Sequence, residues 1–202
     1  MPLVYSYNSN RGRKEKNDDA VSVSKNKQGA LIAIVCDGVG SHSNAAYSSN
    51  YIVTTLEKEW QDLTFHNFYK IMRELVSIYE YGENTVNDDL IRMFEAFYQT
   101  KKDTEEEAKN HPERHVLTQA IATKENIELH TFIDDLSNYD YFLLCSDGLT
   151  NMVENEEIQN IVRNNELTFA VDDLIDKCVK RGGVDNISVA IIKNLRGDNH
   201  DK

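Results

Sequence analysis

The sequence predicts an α+β fold in which helices cover the outer faces of largely antiparallel sheets. Three observations predict it. Apolar, β-branched runs such as LIAIVC (31–36) and NISVAIIKN (186–194) read as buried strands. The segment 44–63 carries apolar residues at helical spacing. The order is strands, then helices, then strands and helices mixed, which suits layered packing better than repeated βαβ units.

Taken in order, strands are expected near 3–7, 20–24 and 30–36. The helix over 44–63 would bury a stripe of Ala46, Tyr51, Val53 and Leu56. NFYKIMRELVSIYEY (67–81) and DDLIRMFEAFYQ (88–99) read as two further helices. Thr104 is a candidate cap for a short acidic helix that Pro112 ends. Strands return at 127–132 and 140–145. NEEIQNIVRN (155–164) and TFAVDDLIDKCVKRGG (168–183) read as helices, the second stopped by Gly182 and Gly183. A strand over 186–194 closes the fold, and LRGDNHDK (195–202) is polar. No repeat or Pro/Ser-rich linker divides the chain, so one domain over 1–196 is expected, with a polar tail at 197–202.

The bulk properties narrow the function. A chain of 202 residues that is 40% apolar and 28% charged can bury a real core. A net charge of −12 argues against a general nucleic-acid binder, which needs a basic footprint. No apolar run is long enough to span a bilayer, and the N-terminus has no secretory pattern, so a cytoplasmic protein is expected. Cys36, Cys145 and Cys178 each lie in apolar surroundings with no CxxC pair, and read as reduced core residues. The six histidines show no tight ligand spacing, which argues against zinc.

The informative residues are acids at strand ends. Asp37 follows one apolar strand, Asp147 follows another, and Asp185 precedes a third; Asp18 and Asp19 precede AVSVS. Each Asp-Gly taken alone reads equally as a turn signal. As a set they differ, because carboxylates that converge without a cation repel one another. Hard divalent cations with oxygen ligands, Mg²⁺ or Mn²⁺, relieve that repulsion. An all-oxygen metal centre, with room for two ions, is therefore expected.

KEKNDDA (14–20), VCDGVGSH (35–42), LLCSDGLT (143–150) and GGVDNISVAII (182–192) resemble, in this order, the motifs of metal-dependent serine/threonine protein phosphatases of type 2C, most closely the bacterial branch. TEEEAKNHPERHVLTQAI (104–121) is similar to that branch's flap and the stretch after it, which places a flap-like segment at about 88–112. The resemblance covers roughly 10–194 and implies an antiparallel β-sandwich in αββα layers. It implies that Asp37 bridges two metals, with the Gly38 carbonyl binding one of them. Asp147 and Asp185 would complete the first site, and Asp18 and Asp19 would hold the second. A water acidified by both ions would attack phosphorus in line, with no phosphoenzyme. The substrates would be phosphoserine and phosphothreonine in proteins, the natural partner a kinase or its targets, and the chain a monomer. Asn186 either anchors the turn that presents Asp185 or makes a plain Asx turn.

Other positions carry alternatives. The family's phosphate-gripping arginine has Lys14 at its usual spacing and Arg13 one residue earlier; Arg13 matches phosphate better because its planar fork is bidentate. His42 could pass a proton to the leaving group or cap the glycine turn. A weaker third metal would use Asp88 (or Asp89), but the matching downstream position is Asn151, which has no charge. The chain also departs from the pattern. The family's Gly-Thr-Thr and Gly-Asp-Ser-Arg segments have no counterpart beyond a faint echo in YGEN (81–84), so fewer strands than the family norm are expected. That departure keeps a second reading open, a catalytically impaired binding or regulatory module. A relative acting on small phosphorylated molecules is a third.

Overall fold

The computed structural model describes residues 2–40, 44–61 and 135–195, all within one compact unit that joins Met1–Leu63 to Ile133–Lys202. The helices expected over 67–81 and 88–99, the flap-like segment, the strand over 127–132 and the polar tail lie outside the described residues.

Strand β5 (Ile187–Asn194) is the central element. It pairs antiparallel with β1 (Leu3–Asn10) from Leu3↔Asn194 to Asn10↔Ile187, and with β4 (Tyr141–Cys145) from Tyr141↔Lys193 to Cys145↔Val189. Its continuous apolar run is what a strand covered on both faces requires. Ile187, Val189, Ala190 and Ile191 are all fully buried. Strand β1 runs three residues beyond the expected end at 7, because β5 supplies partners out to Asn10.

The second sheet is a hairpin of β2 (Ala20–Lys25) and β3 (Leu31–Cys36), in register from Ala20↔Cys36 to Lys25↔Leu31. Asn26 makes the turn: its side-chain oxygen accepts from the backbone N–H of Gln28 at 3.0 Å and of Ala30 at 2.9 Å.

The two sheets face each other, β2 against β1 and β5, and β3 against β4 and β5. Helix α1 (Ala45–Trp60) packs on β2 and β3. A four-residue helix α2 (Asp147–Thr150) follows β4, then α3 (Asn155–Asn164) and α4 (Leu167–Lys180), with α4 lying on β1 and β5. The order of layers is α1, hairpin, three-stranded sheet, α4, which is the αββα arrangement. The stripe on α1 differs from the expected one. Val53 and Leu56 are buried as read, but Ala45, Ser49 and Ile52 fill the rest while Ala46 and Tyr51 are only partly covered. Hydrophobicity alone does not rank Ile52 against Tyr51; the tyrosine instead stacks on Tyr47 near the surface.

Helix α4 buries Ala170, Val171, Leu174, Ile175 and Cys178, the spacing of one apolar face. It ends in a Schellman turn: Gly183 N–H donates to the Cys178 carbonyl at 2.8 Å and Gly182 N–H to that of Val179 at 3.1 Å. Both glycines have positive φ, 127° and 51°, which side chains resist. Arg181 braces this end, donating to the Met152 carbonyl at 2.7 Å and to Glu157 at 2.9 Å, while Lys177 reaches Glu157 at 2.9 Å. The Arg181 hydrogen bond, then that of Lys177, holds the Glu157 carboxyl below its usual range.

Leu174 is fully buried between helix and sheet. Leu174→Ala is expected to lower stability by about 2–5 kcal/mol in a urea unfolding experiment, the cost of lost contact plus cavity.

Candidate metal centre

The acids of interest stand where both ladders stop. Ala20↔Cys36 is the last pair of the hairpin, so Asp19 and Asp37 follow side by side at its open end. Cys145↔Val189 is the last β4–β5 pair, and Ser146 N–H extends it by donating to the Ser188 carbonyl at 3.0 Å. Asp147 then opens α2, and Asp185 and Asn186 lead into β5. Because the two sheets face each other, acids from four chain segments meet at one edge.

Their mutual repulsion is visible at Asp37. Partial burial first, then the charges of Asp19, Asp147 and Asp185, raise its carboxyl to about 7, and a hydrogen bond with Asp19 adds to this. The residue itself reaches solvent, which screens both the burial and the charge contributions. Asp19 is 5% exposed, and burial raises it too, against the opposing hydrogen bonds of Ser146 and Ser188. Asp18 lies beside Gly38, whose N–H donates to the Asp18 carbonyl at 3.1 Å, and its carboxylate faces Gly40.

Asn186 organises the site. Its buried side chain accepts from Asp18 N–H at 2.9 Å and donates to the carbonyls of Arg11 at 2.9 Å and Lys16 at 3.0 Å. It therefore holds the loop that delivers Asp18 and Asp19, more than 160 residues away in sequence. The Asp185 carboxylate accepts from the neighbouring Asn186 N–H at 2.9 Å. Beyond an anchor beside Asp185, the Asn186 side chain reaches the 11–18 loop, which the sequence does not show. Gly148 lies so close to the Asn186 carbonyl that a Cβ there would collide with it, which is why α2 needs glycine at its second position.

The basic residues divide their roles. Lys14 Nζ pairs with Asp185 at 3.1 Å. Arg13 is exposed, with its backbone N–H donating to the Gly183 carbonyl at 2.7 Å. Asn151 caps α2 and donates to the Asp147 carboxylate at 3.2 Å. His42, Asp88 and Asp89 lie outside the described residues.

Among the described residues no three acids form a ready-made ligand cage. Asp185 is turned to Lys14, Asp147 to Asn151, and Asp19 to Ser146. The donor set nonetheless fits hard divalent cations: carboxylates and the Gly38 carbonyl, with charge repulsion that a cation would relieve. Soft metals fit poorly. Burial pushes the nearby Cys36 thiol up to about 11 and raises Cys145, so the ligating thiolates are disfavoured.

Sequence reasoning missed the hydroxyls. The motifs carry Ser146 and Ser188 without a role, although a polar residue within or just after an apolar strand signals that something there needs a partner.

The family model described as protein phosphatase 2C matches residues 8–123. A serine/threonine phosphatase stp of Listeria innocua is 26% identical, the match covering 93% of this chain and 94% of the relative. Protein phosphatase PhpP of Streptococcus pneumoniae is also 26% identical, over 89% of this chain and 92% of the relative. The Listeria match spans 238 aligned residues, whereas 93% of 202 is about 188, so roughly 50 positions have no counterpart here. With both chains covered nearly end to end, that shortfall is internal. Among solved structures, serine/threonine phosphatase Stp1 from Staphylococcus aureus superposes with a TM-score of 0.78 at 20% identity, covering 96% of each chain. The S. agalactiae serine/threonine phosphatase gives 0.73 at 25% identity, covering 95% of this chain and 99% of that one. No described helix is long and apolar enough to cross a membrane.

Two outcomes follow from the site's electrostatics and bonding. Asp37 has a raised folded-state value, so the native state holds a proton that the unfolded chain releases above about 4. Its contribution to stability is full below that pH and is lost as pH rises through about 7. The melting temperature of chelator-treated protein should therefore fall from pH 4 to 7, and Asp37→Asn should flatten that slope. Asn186→Ala leaves buried partners unsatisfied and should cost about 1–3 kcal/mol in denaturant unfolding, with faster proteolysis within 11–18.

Proposed function

Because this chain belongs to the protein phosphatase 2C family, we propose that it is a metal-dependent phosphatase acting on phosphoserine and phosphothreonine in proteins. The observation that carries the reading is the meeting of acids at one sheet edge, with Asp37 raised to about 7 by partial burial and by the charges of Asp19, Asp147 and Asp185. Such a group is costly unless it has work that offsets the cost.

On this reading Asp37 would serve both of two cations, Mg²⁺ or Mn²⁺, and the Gly38 carbonyl one of them. Asp147 and Asp185 would complete the first, and Asp18 and Asp19 would hold the second. When bound, the ions supply an acidified water as nucleophile and charge to offset that of the phosphate. The chain's own residues do the rest. Asn186 holds the 11–18 loop, which fixes Asp18 and Asp19 relative to β5. Arg13, exposed on the same loop, would grip the phosphate with its planar fork, while Lys14 is engaged by Asp185. Asn151 lacks the charge for a strong third site. The working unit would be a single domain over 1–196, monomeric and cytoplasmic, opposing a serine/threonine kinase.

The shortfall of roughly 50 positions against the Listeria relative favours a second reading, a scaffold that binds phosphoproteins without turnover. Phosphate release from a phosphothreonine peptide, with Mn²⁺ titrated in after chelation, separates the two. Metal-dependent release is expected, reduced to the metal-free level by Asp147→Asn with the fold retained. Mn²⁺ binding without release would favour the binding module. Turnover of an aryl phosphate with no preference for the peptide would point to small-molecule substrates.

A further inference from the structure

A buried hydroxyl, that of Ser146, points at Asp19, and the carboxylate is its nearest acceptor. Ser146 Oγ lies 2.7 Å from Asp19 Oδ2 and accepts the Ser188 backbone N–H at 3.0 Å. A serine hydroxyl has one proton, and with a lone pair taken by that N–H the proton is left for the carboxylate. The alternative acceptor, the Asn186 carbonyl, is 3.5 Å away. A second buried hydroxyl, Ser188 Oγ, lies close enough to Asp19 to favour its ionised carboxylate. It stands 2.7 Å from Ser9 Oγ, which accepts from Asn17 Nδ2 at 2.7 Å. Either hydroxyl of the Ser9–Ser188 pair can donate to the other, so this pair is a side support and Ser146 carries the directed bond to Asp19. Ser146, at 4% exposed, and the fully buried Ser188 are packed away from water, whereas Ser9 and Asn17 are only half-buried.

We propose that Ser146 is a positioning residue for the cation held by Asp19: its directed hydroxyl locks the Asp19 carboxylate in one orientation at the sheet edge. The inference rests on the functional reading above and names the residue through which β4 controls the 18–19 loop. A ligating carboxylate is free to turn about its side-chain bonds, and each wrong orientation subtracts from metal affinity. Fixing it beforehand removes that loss, as outer-shell hydrogen bonds do at metal sites generally. The position of Ser146 suits the task. It is the residue between the last paired residue of β4 and Asp147, so one strand end orients an acid of each candidate site.

The test is calorimetric titration of Mn²⁺ into the full chain as wild type, Ser146→Ala and Ser146→Thr, each first shown folded by circular dichroism and melting. The alanine variant is expected to bind Mn²⁺ about tenfold more weakly or worse. Threonine keeps the hydroxyl and should recover most of that loss. At limiting Mn²⁺ the alanine variant should lose kcat while its KM for a phosphothreonine peptide stays unchanged. A residue that only supported the fold would lower the melting temperature and leave Mn²⁺ affinity alone. Folded Ser146→Ala with wild-type Mn²⁺ affinity overturns the proposal. Should alanine fail to fold, Ser146→Cys replaces it, retaining a weak donor; intermediate affinity supports the proposal and unchanged affinity overturns it. A wild-type chain that binds no Mn²⁺ overturns the functional reading and this inference together, so the two failures are read from different samples.

Discussion

One buried amide holds the site together. Asn186 sits at the entry to β5 and spends its side chain on the loop from Arg11 to Asp18, as donor twice and acceptor once. Only an uncharged amide can do both. An aspartate there would lose the two donors and add a further negative charge to an edge already crowded with them. Through these bonds the central strand, the most buried element described, sets where the N-terminal acids stand.

The rest of the architecture reads as a frame for that edge. The hairpin and the three-stranded sheet stop at the same end, so acids far apart in sequence share a small volume. Repulsion among them works against folding, and the frame offsets it with a dry core on the opposite side of the sheet. Leu149, Ala170, Leu174, Cys178, Ile187, Val189 and Ile191 are wholly buried there. This division is common where a site carries strain: stability comes from apolar packing and not from the charged edge itself. The half-exposed Lys14–Asp185 pair adds little stability, because solvent screens it, yet it shows how the loop's own cations can face the acids.

Much of this was legible in the residues. The strands of the described unit, the helices over 155–164 and 167–180, and the acids at strand ends all follow from periodicity and from polar residues ending apolar runs. The family resemblance of the motifs agrees with the family that the comparisons identify. The α1 stripe departs from the expected one because tyrosine carries both an apolar ring and a polar tip, and its neighbours decide which one is covered. The hydroxyl network was legible only in part. A serine beside an apolar run signals the need of a partner, but nothing local tells that the partner of Ser146 is Asp19.

By itself the sequence determined which residues could form strands and helices, that the chain would carry hard oxygen donors, and that those donors would sit at strand ends. These are local properties, set by period, side-chain chemistry and turn residues. Tertiary structure alone decided which end met which. The pairing of β5 between β1 and β4 brought Asn186 to the Arg11–Asp18 loop, and Ser146 to Asp19 across 127 residues. Hydrogen bonds between buried groups depend on distance and direction in three dimensions, and strand register, fixed only when whole faces are buried together, sets both.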